Sequence, residues 1–488
     1  MTFNLSFFQN KNIHIIGISG MEGLAIFRFF KKHKIKAILH DFSSGLDELK
    51  QSFWSSNDYL SEKEKEKIWQ EILEEKQNLQ LKNNYLKDIE KADLIFVPQS
   101  WFRYSQNEPL KRIKKKIPFC QITELYFKFF PGIIIGVTGS SGKSTTCALI
   151  FHLLKNLKGR DVWLSGNDRQ NPPVLHKIEK AKKNDILILE ISNRQLIDLK
   201  CSPKIAVLAT ISPTHLDDHK DFKEYLEVKK NIIRYQKPND LAILNYENKY
   251  TRSFAKETKA QVLWFGLHWQ KKLSGAFLKK DELVFNLQKT EKIIRAKELQ
   301  LRGSHNILNC LSSSLVAKKI GLRTQEISQK LKEFTGLKHR LELVGKINGA
   351  EFYNDSQATN PQAAQAAIET FPGKEKIVIA GGKAKPNPAD FREWLSAMWE
   401  NQVKALFLIG EAKDQIENVF KEIVKKGQKP ELKMEKCTNL EEAVKKAISK
   451  IKDKTVVLMS PACESFGEFK DYRERGNQFR ELIKKYSK

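Results

Sequence analysis

Residues 133–146 read Ile-Ile-Ile-Gly-Val-Thr-Gly-Ser-Ser-Gly-Lys-Ser-Thr-Thr. The apolar run from Ile133 to Val137 has the composition of a strand buried on both faces, as in parallel sheets. Glycines then break the run, and a helix is predicted to begin at about Lys143. A glycine-rich turn between strand and helix offers backbone N–H groups and a helix N-terminus to phosphate oxygens. In this reading Gly139, Ser140, Ser141, Gly142, Lys143, Ser144 and Thr145 cradle ATP. Lys143 would reach the β- and γ-phosphates, and the Ser144 hydroxyl would help hold Mg²⁺. The generic phosphate loop asks for glycine at position 137, where this chain has Val137 flanked by Gly136 and Gly139.

Outward from this stretch, apolar runs alternate with amphipathic segments of helical length. They include Ile13–Ile16, Ile35–Leu39, Leu94–Val97, Ile186–Leu189, Ala206–Leu208, Ile377–Ala380, Ala405–Ile409 and Val456–Met459. That alternation predicts an α/β protein with parallel sheets. Turn signals at Phe130-Pro131-Gly132 and Phe334-Thr335-Gly336 divide the chain into domains at 1–131, 132–335 and 336–488, each of ordinary size. The Lys/Glu-rich stretch 54–92 reads as exposed helices within the first domain.

Composition narrows the function classes. Hydrophobic residues make up 41% and charged residues 29%, a globular balance. No apolar run reaches the roughly 18 residues that span a bilayer, and no signal-peptide pattern opens the chain, so a cytoplasmic protein without membrane partners is expected. The net charge of +27 invites a nucleic-acid reading. The lysines, however, are scattered over polar faces beside acids, as in SEKEKEKIWQEILEEK, and no nucleic-acid-binding motif accompanies them, so no nucleic-acid partner is expected. Cys120, Cys147, Cys201, Cys310, Cys437 and Cys463 lack zinc or redox spacing and read as reduced, mostly packed thiols.

Two further strand ends carry chemistry. Glu190 closes the run Asp-Ile-Leu-Ile-Leu-Glu, at the carboxyl edge where an open parallel sheet gathers its ligands. A carboxylate there suits Mg²⁺, although an acid ending a strand also serves as a cap or ion-pair partner. His215 and Asp217 follow the next apolar strand at the same edge. Near the start, Gly17, Gly20 and Gly23 follow a strand but miss the dinucleotide fingerprint by their spacing.

The blocks TGSSGKSTT, LEISNRQL, ISPTHLD, YLEVKKN, LRGSHNILN, LKHRLE, YNDSQATNP, AGGKAK and SPACESFGEFKDYRERG occur in the order seen in the Mur ligases. The chain resembles that family from about residue 132 to 480 and more faintly before it, and the last block resembles its D-glutamate-adding member. The resemblance implies a Rossmann-like N-terminal domain, a P-loop-type central ATPase domain and a Rossmann-like C-terminal domain. It implies ATP-dependent addition of D-glutamate to UDP-N-acetylmuramoyl-L-alanine through an acyl phosphate, in peptidoglycan precursor synthesis, by a monomer that closes around ATP. Glu190 and His215 correspond to Mg²⁺ ligands, and Lys229 to a lysine carbamylated in several members that serves a second Mg²⁺. Asn306, Arg340 and Asp355 correspond to nucleotide contacts. Thr359, Lys385, Ser465, Phe466 and Tyr472 correspond to contacts of the amino-acid substrate. Gly17, Gly20, Asp41 and Phe42 would lie beside the UDP-sugar.

The chain also departs from the family pattern. Asn193 and Arg194 replace Ser-Phe, Thr210 replaces Asn, Gln357 replaces a Lys that anchors the acyl phosphate, and Val97-Pro98-Gln99-Ser100 stands where Ser-Pro-Gly-Ile is usual. Lys383 or Lys385 could restore the missing charge. These departures leave open a Mur-type ligase with another acceptor amino acid or sugar-peptide. A basic P-loop NTPase acting on nucleic acid is the alternative from a different class.

Overall fold

The computed structural model describes residues 5–166, 171–213, 218–384, 387, 391–425 and 432–487. The described residues build three sheets. The first holds β1 (Ile13–Ile16), β2 (Ile38–His40), β3 (Leu79–Gln80), β4 (Leu94–Phe96) and β5 (Phe119–Cys120), in the order β3-β2-β1-β4-β5. All its pairings are parallel. The order reverses at β1, and the crevice of such a sheet opens beyond the carboxyl ends of its strands at that reversal.

The second sheet runs β14-β13-β12-β11-β10-β9-β6-β8-β7. Its strands are β6 (Ile133–Thr138), β7 (Val162–Ser165), β8 (Ile186–Glu190), β9 (Ile205–Leu208), β10 (Leu241–Asn245), β11 (Gln261–Gly266), β12 (Gly275–Lys279), β13 (Glu282–Asn286) and β14 (Thr290–Arg295). β7 to β12 pair in parallel, and β13 and β14 extend the sheet as antiparallel strands. β6 lies between β8 and β9, so its apolar residues meet packing on both faces, as the unbroken Ile-Ile-Ile run requires.

The third sheet joins β15 (Glu342–Ile347), β16 (Ala350–Asn354), β17 (Lys376–Gly381), β18 (Val403–Ile409), β19 (Lys433–Lys436) and β20 (Val456–Met459) in the order β15-β16-β20-β17-β18-β19. Only the β15–β16 pair is antiparallel. The observed class is therefore α/β with predominantly parallel sheets, as the alternating pattern foretold. By compactness, residues 1–296 with 308–331 form one unit, and 297–307 with 332–488 form another. The first two sheets lie in the first unit and the third sheet in the second.

The stretch 54–92 departs from its expectation as exposed helix. The helix Glu62–Leu73 starts at a reciprocal cap between Ser61 and Glu64, then buries Ile68, Trp69 and Ile72 in the first core. The spacing of those three residues makes one apolar face, which the surrounding Lys/Glu residues obscured. The same stretch supplies the edge strand β3, paired with β2.

Candidate functional site

β6 ends at Thr138, and the loop 139–142 leads into the helix Lys143–Leu154. Gly142 takes the position before that helix with φ +84°, and a side-chain Cβ there would stand 2.7 Å from Asn309 Oδ1. Only glycine satisfies both the left-handed backbone and the close approach. The loop is held from below. The Ser140 N–H donates to Thr210 O at 2.8 Å, and Ser140 Oγ contacts the Ser212 carbonyl at 2.8 Å and the Tyr225 hydroxyl at 2.7 Å. Lys143 Nζ donates back to Gly139 O at 3.0 Å. Ser141 is exposed, Ser144 half-buried and Thr145 buried.

Glu190 ends β8, directly beside β6 in the sheet. Ser144 Oγ donates to Glu190 Oε1 at 3.1 Å, while Glu190 Oε2 is buried with no hydrogen-bond partner. An orphaned carboxylate oxygen beside a hydroxyl is the hard-oxygen donor set that Mg²⁺ prefers, so these residues fit the ion. Among the described residues no group of three or more His, Cys, Asp or Glu side chains is placed so that it could hold a metal ion. His215 and Asp217 lie outside the described residues.

Lys229 projects from the helix Phe222–Arg234 and is 1% exposed. Its Nζ donates to Thr138 Oγ1 at 2.8 Å and to Gly139 O at 3.3 Å. Burial drives its pKa well below the usual lysine value, and the nearby Lys143 adds to the effect against the opposing pull of Glu190. The neighbouring Lys230 instead pairs with Glu227 and Glu257, which separates two lysines that are indistinguishable as letters.

The departures at 193 and 194 acquire a physical reason. Asp218, whose side chain is fully buried, accepts from Arg194 Nε at 2.7 Å and from Arg103 Nε at 2.6 Å. Asn193 Nδ2 meets His219 Nε2 at 2.9 Å. Burial opposes ionisation of Asp218, but the two guanidiniums hold its carboxyl below the usual range. Arg103 and Asp218 escaped the sequence reading because they are 115 residues apart.

At the reversal point of the first sheet lies a cavity of about 360 Å³. Gly17, Gly20, Glu22, Asp41, Phe42 and Tyr104 are among its lining residues. Phe42 and Tyr104 are 42% and 44% exposed, with ring centroids 5.5 Å apart, and together present an aromatic face. Asp41 is buried, and its carboxylate accepts from the backbone N–H and hydroxyl of both Ser19 and Ser43. It therefore ties the loop after β1 to the loop after β2.

In the second unit, Asp355 is buried beyond β16, accepting from Ser460 Oγ at 2.8 Å and the Leu341 N–H at 3.1 Å. Burial pushes its carboxyl up to about 7. Asn306 is buried and donates to Arg302 O, and Arg340 is half-buried. Gln357 and Thr359 are half-buried in the same turn, Ser465 is buried, and Phe466 is 53% exposed. Tyr472 opens the helix Tyr472–Tyr486, and its carbonyl accepts from Ser356 Oγ. Lys385 lies outside the described residues, and Lys383 is exposed.

Arg475, within the SPACESFGEFKDYRERG block, is a further residue of this region that its letters alone do not single out. It is fully buried and donates to Ser356 Oγ, Ser356 O, Gly381 O and Cys463 O. One guanidinium thus ties together three of the blocks singled out in the sequence.

The Mur ligase middle domain profile matches residues 137–317, and the profile described as Mur ligase, glutamate ligase domain matches 339–463. A UDP-N-acetylmuramoylalanine--D-glutamate ligase of Clostridium tetani is 34% identical over 98% of this chain and 97% of its own. Its namesake in Acetivibrio thermocellus is 39% identical over 83% of this chain and 85% of its own. Among solved structures, MurF ligase from Thermotoga maritima in complex with ADP has a TM-score of 0.56 at 20% identity, covering 86% of this chain and 92% of its own. UDP-N-acetylmuramate-alanine ligase MurC from the same organism has a TM-score of 0.55 at 18% identity, covering 98% and 100%. These structures share the fold, and the two D-glutamate ligases share sequence through 97% and 85% of their own length. The chain belongs to the Mur ligase family.

Proposed function

We propose that this chain is the ATP-dependent ligase that joins D-glutamate to UDP-N-acetylmuramoyl-L-alanine in peptidoglycan precursor synthesis. The near end-to-end match to a ligase of that name carries the reading. The chain would work in the cytoplasm, where ATP and the sugar nucleotide meet. No described helix is long and apolar enough to cross a membrane.

The chemistry is a pair of displacements. The alanyl carboxylate attacks the γ-phosphorus of ATP, forming an acyl phosphate and releasing ADP. The D-glutamate amine then attacks the acyl carbon, loses a proton, and expels inorganic phosphate. Both partners of the first step are anions, so fixed positive charge and aimed N–H groups carry most of the catalysis. The loop 139–145 would hold the phosphates, with Lys143 turning from its loop carbonyls to the β- and γ-oxygens. Ser144 and Glu190 would hold Mg²⁺, with His215 as a further ligand by family resemblance. Bound there, Mg²⁺ supplies positive charge to the phosphate oxygens.

Lys229 fits the family's carbamylated lysine. A buried lysine with a depressed pKa has the neutral amine that adds to CO₂, and the product is an anion suited to a second Mg²⁺. The cavity of the first sheet is the place for the UDP moiety, its aromatic face suiting the uracil ring. In the second unit, Asn306, Arg340 and Asp355 are assigned to the nucleotide. Thr359, Lys385, Ser465, Phe466 and Tyr472 are assigned to D-glutamate. Gln357 donates a hydrogen bond but brings no charge.

Isotope transfer tests the mechanism. With the alanyl carboxylate labelled in heavy oxygen, one labelled atom is expected in the released phosphate. Unlabelled phosphate alongside amide product would overturn the acyl-phosphate step.

A further inference from the structure

The cavity assigned to the UDP moiety has an unusual charge balance for an anion site. Its lining includes two carboxyl groups, Glu22 and Asp41, and no lysine, arginine or histidine among the described residues. The start of the helix Met21–Lys32 offers backbone N–H groups to a diphosphate, but nothing with full positive charge stands between that anion and the carboxyls.

The two carboxyls differ in what they already hold. Each oxygen of Asp41 accepts two hydrogen bonds, from Ser43 on one side and Ser19 on the other. Each oxygen of Glu22 accepts one: Oε2 from the Gln99 N–H at 2.7 Å, and Oε1 from Gln195 Nε2 at 3.2 Å. Glu22 is 6% exposed. The other titratable groups facing this region are the hydroxyls of Tyr85 and Tyr104 in the cavity wall and of Tyr126 on the helix Ile122–Phe129. An incoming diphosphate opposes a negative charge on Glu22. A buried carboxyl facing anions without a cation neutralises.

Resting on the reading that this cavity takes the UDP moiety, we infer that the sugar nucleotide binds together with one proton, which is taken from solvent and held on Glu22. Burial already pushes the free carboxyl up to about 7, so near neutrality it is divided between its two forms, and a neighbouring diphosphate pushes it further. Affinity then falls as pH rises, because each binding event at higher pH must first recruit the proton. The ligand itself supplies no competing signal. Up to about pH 8 its diphosphate diester and alanyl carboxylate are fully ionised, and its uracil imide is neutral.

Calorimetric titration of the full chain with UDP-N-acetylmuramoyl-L-alanine, in buffers of different protonation enthalpy, counts the protons directly. At about pH 8 the wild type is expected to take up nearly one proton per ligand, and its affinity to weaken about fivefold between pH 7 and pH 8. Glu22→Gln, which keeps the shape and the acceptor for Gln99, is expected to bind with no uptake and a nearly flat pH profile. Wild-type binding without proton uptake overturns the inference, as does uptake that persists in Glu22→Gln. The wild-type count decides the matter even where the variant fails to fold. Failure of the wild type to bind the sugar nucleotide at any pH would instead overturn the parent reading.

Discussion

Lys229 and Asp218 show how differently buried charges behave at the residue scale. Lys229 is enclosed with only neutral oxygens as hydrogen-bond partners, and its pKa is depressed. Replacing an enclosed lysine amine that has only neutral partners by an apolar side chain of similar length leaves stability unchanged or improved. Lys229→Met is therefore expected to unfold at or above the wild-type temperature while losing ligase activity, with the carbamate signal from labelled bicarbonate lost too. Asp218, by contrast, is paired twice. Asp218→Asn strands two guanidiniums and is expected to destabilise the first unit by about 2–3 kcal/mol in denaturant titration. Arg103→Ala, removing the more exposed partner, is expected to cost less than about 1 kcal/mol. Lys229 was legible as a candidate through the YLEVKKN block, beside a second lysine at 230. Only the fold reveals that one is enclosed and the other paired. The Arg103–Asp218–Arg194 bridge was illegible, because charge pairing across distant segments leaves no local periodicity.

At the scale of elements, the strands and the phosphate loop were readable because they rest on local signals. These were unbroken apolar runs for buried parallel strands, and glycines where strand turns to helix. The short edge strand β3 was not readable, since two residues in a polar stretch carry no periodicity. Close packing between elements was equally hidden. Gly23 lies within the first turn of the helix Met21–Lys32, and a Cβ there would stand 2.2 Å from Gly17 O. The helix can approach the loop after β1 only because that position lacks a side chain. Gly23→Ala is expected to push the helix from the loop and weaken sugar-nucleotide binding at least tenfold. ATP affinity, set by the loop after β6, is expected to hold. Parallel titrations with the two ligands check both statements.

At the scale of the whole molecule, two buried carboxyls, Glu22 and Asp355, each pushed up to about 7, lie one in each unit and shape stability against pH. A carboxyl whose folded pKa exceeds its unfolded value binds more protons in the folded state, so stability falls as pH rises between the two values. For Asp355 that window runs from its ordinary value of 3.8 to about 7. Asp355→Asn, which keeps one acceptor oxygen for the Leu341 N–H and turns an amide N–H toward Ser460 Oγ, removes this dependence. Its unfolding temperature relative to wild type is expected to rise between the two ends of that window, and a constant difference would contradict the assignment.

The family's order of blocks made the reaction legible before the fold was seen, while the balance of charge around each site emerged only when distant segments came together. The central claim is the identity of the reaction. It is tested most directly by supplying ATP, Mg²⁺ and UDP-N-acetylmuramoyl-L-alanine with each of a panel of amino acids, and weighing the product. The account predicts a glutamyl adduct with D-glutamate alone, accompanied by one phosphate released per adduct. An adduct with a different amino acid, or ATP turnover without any adduct, would contradict it.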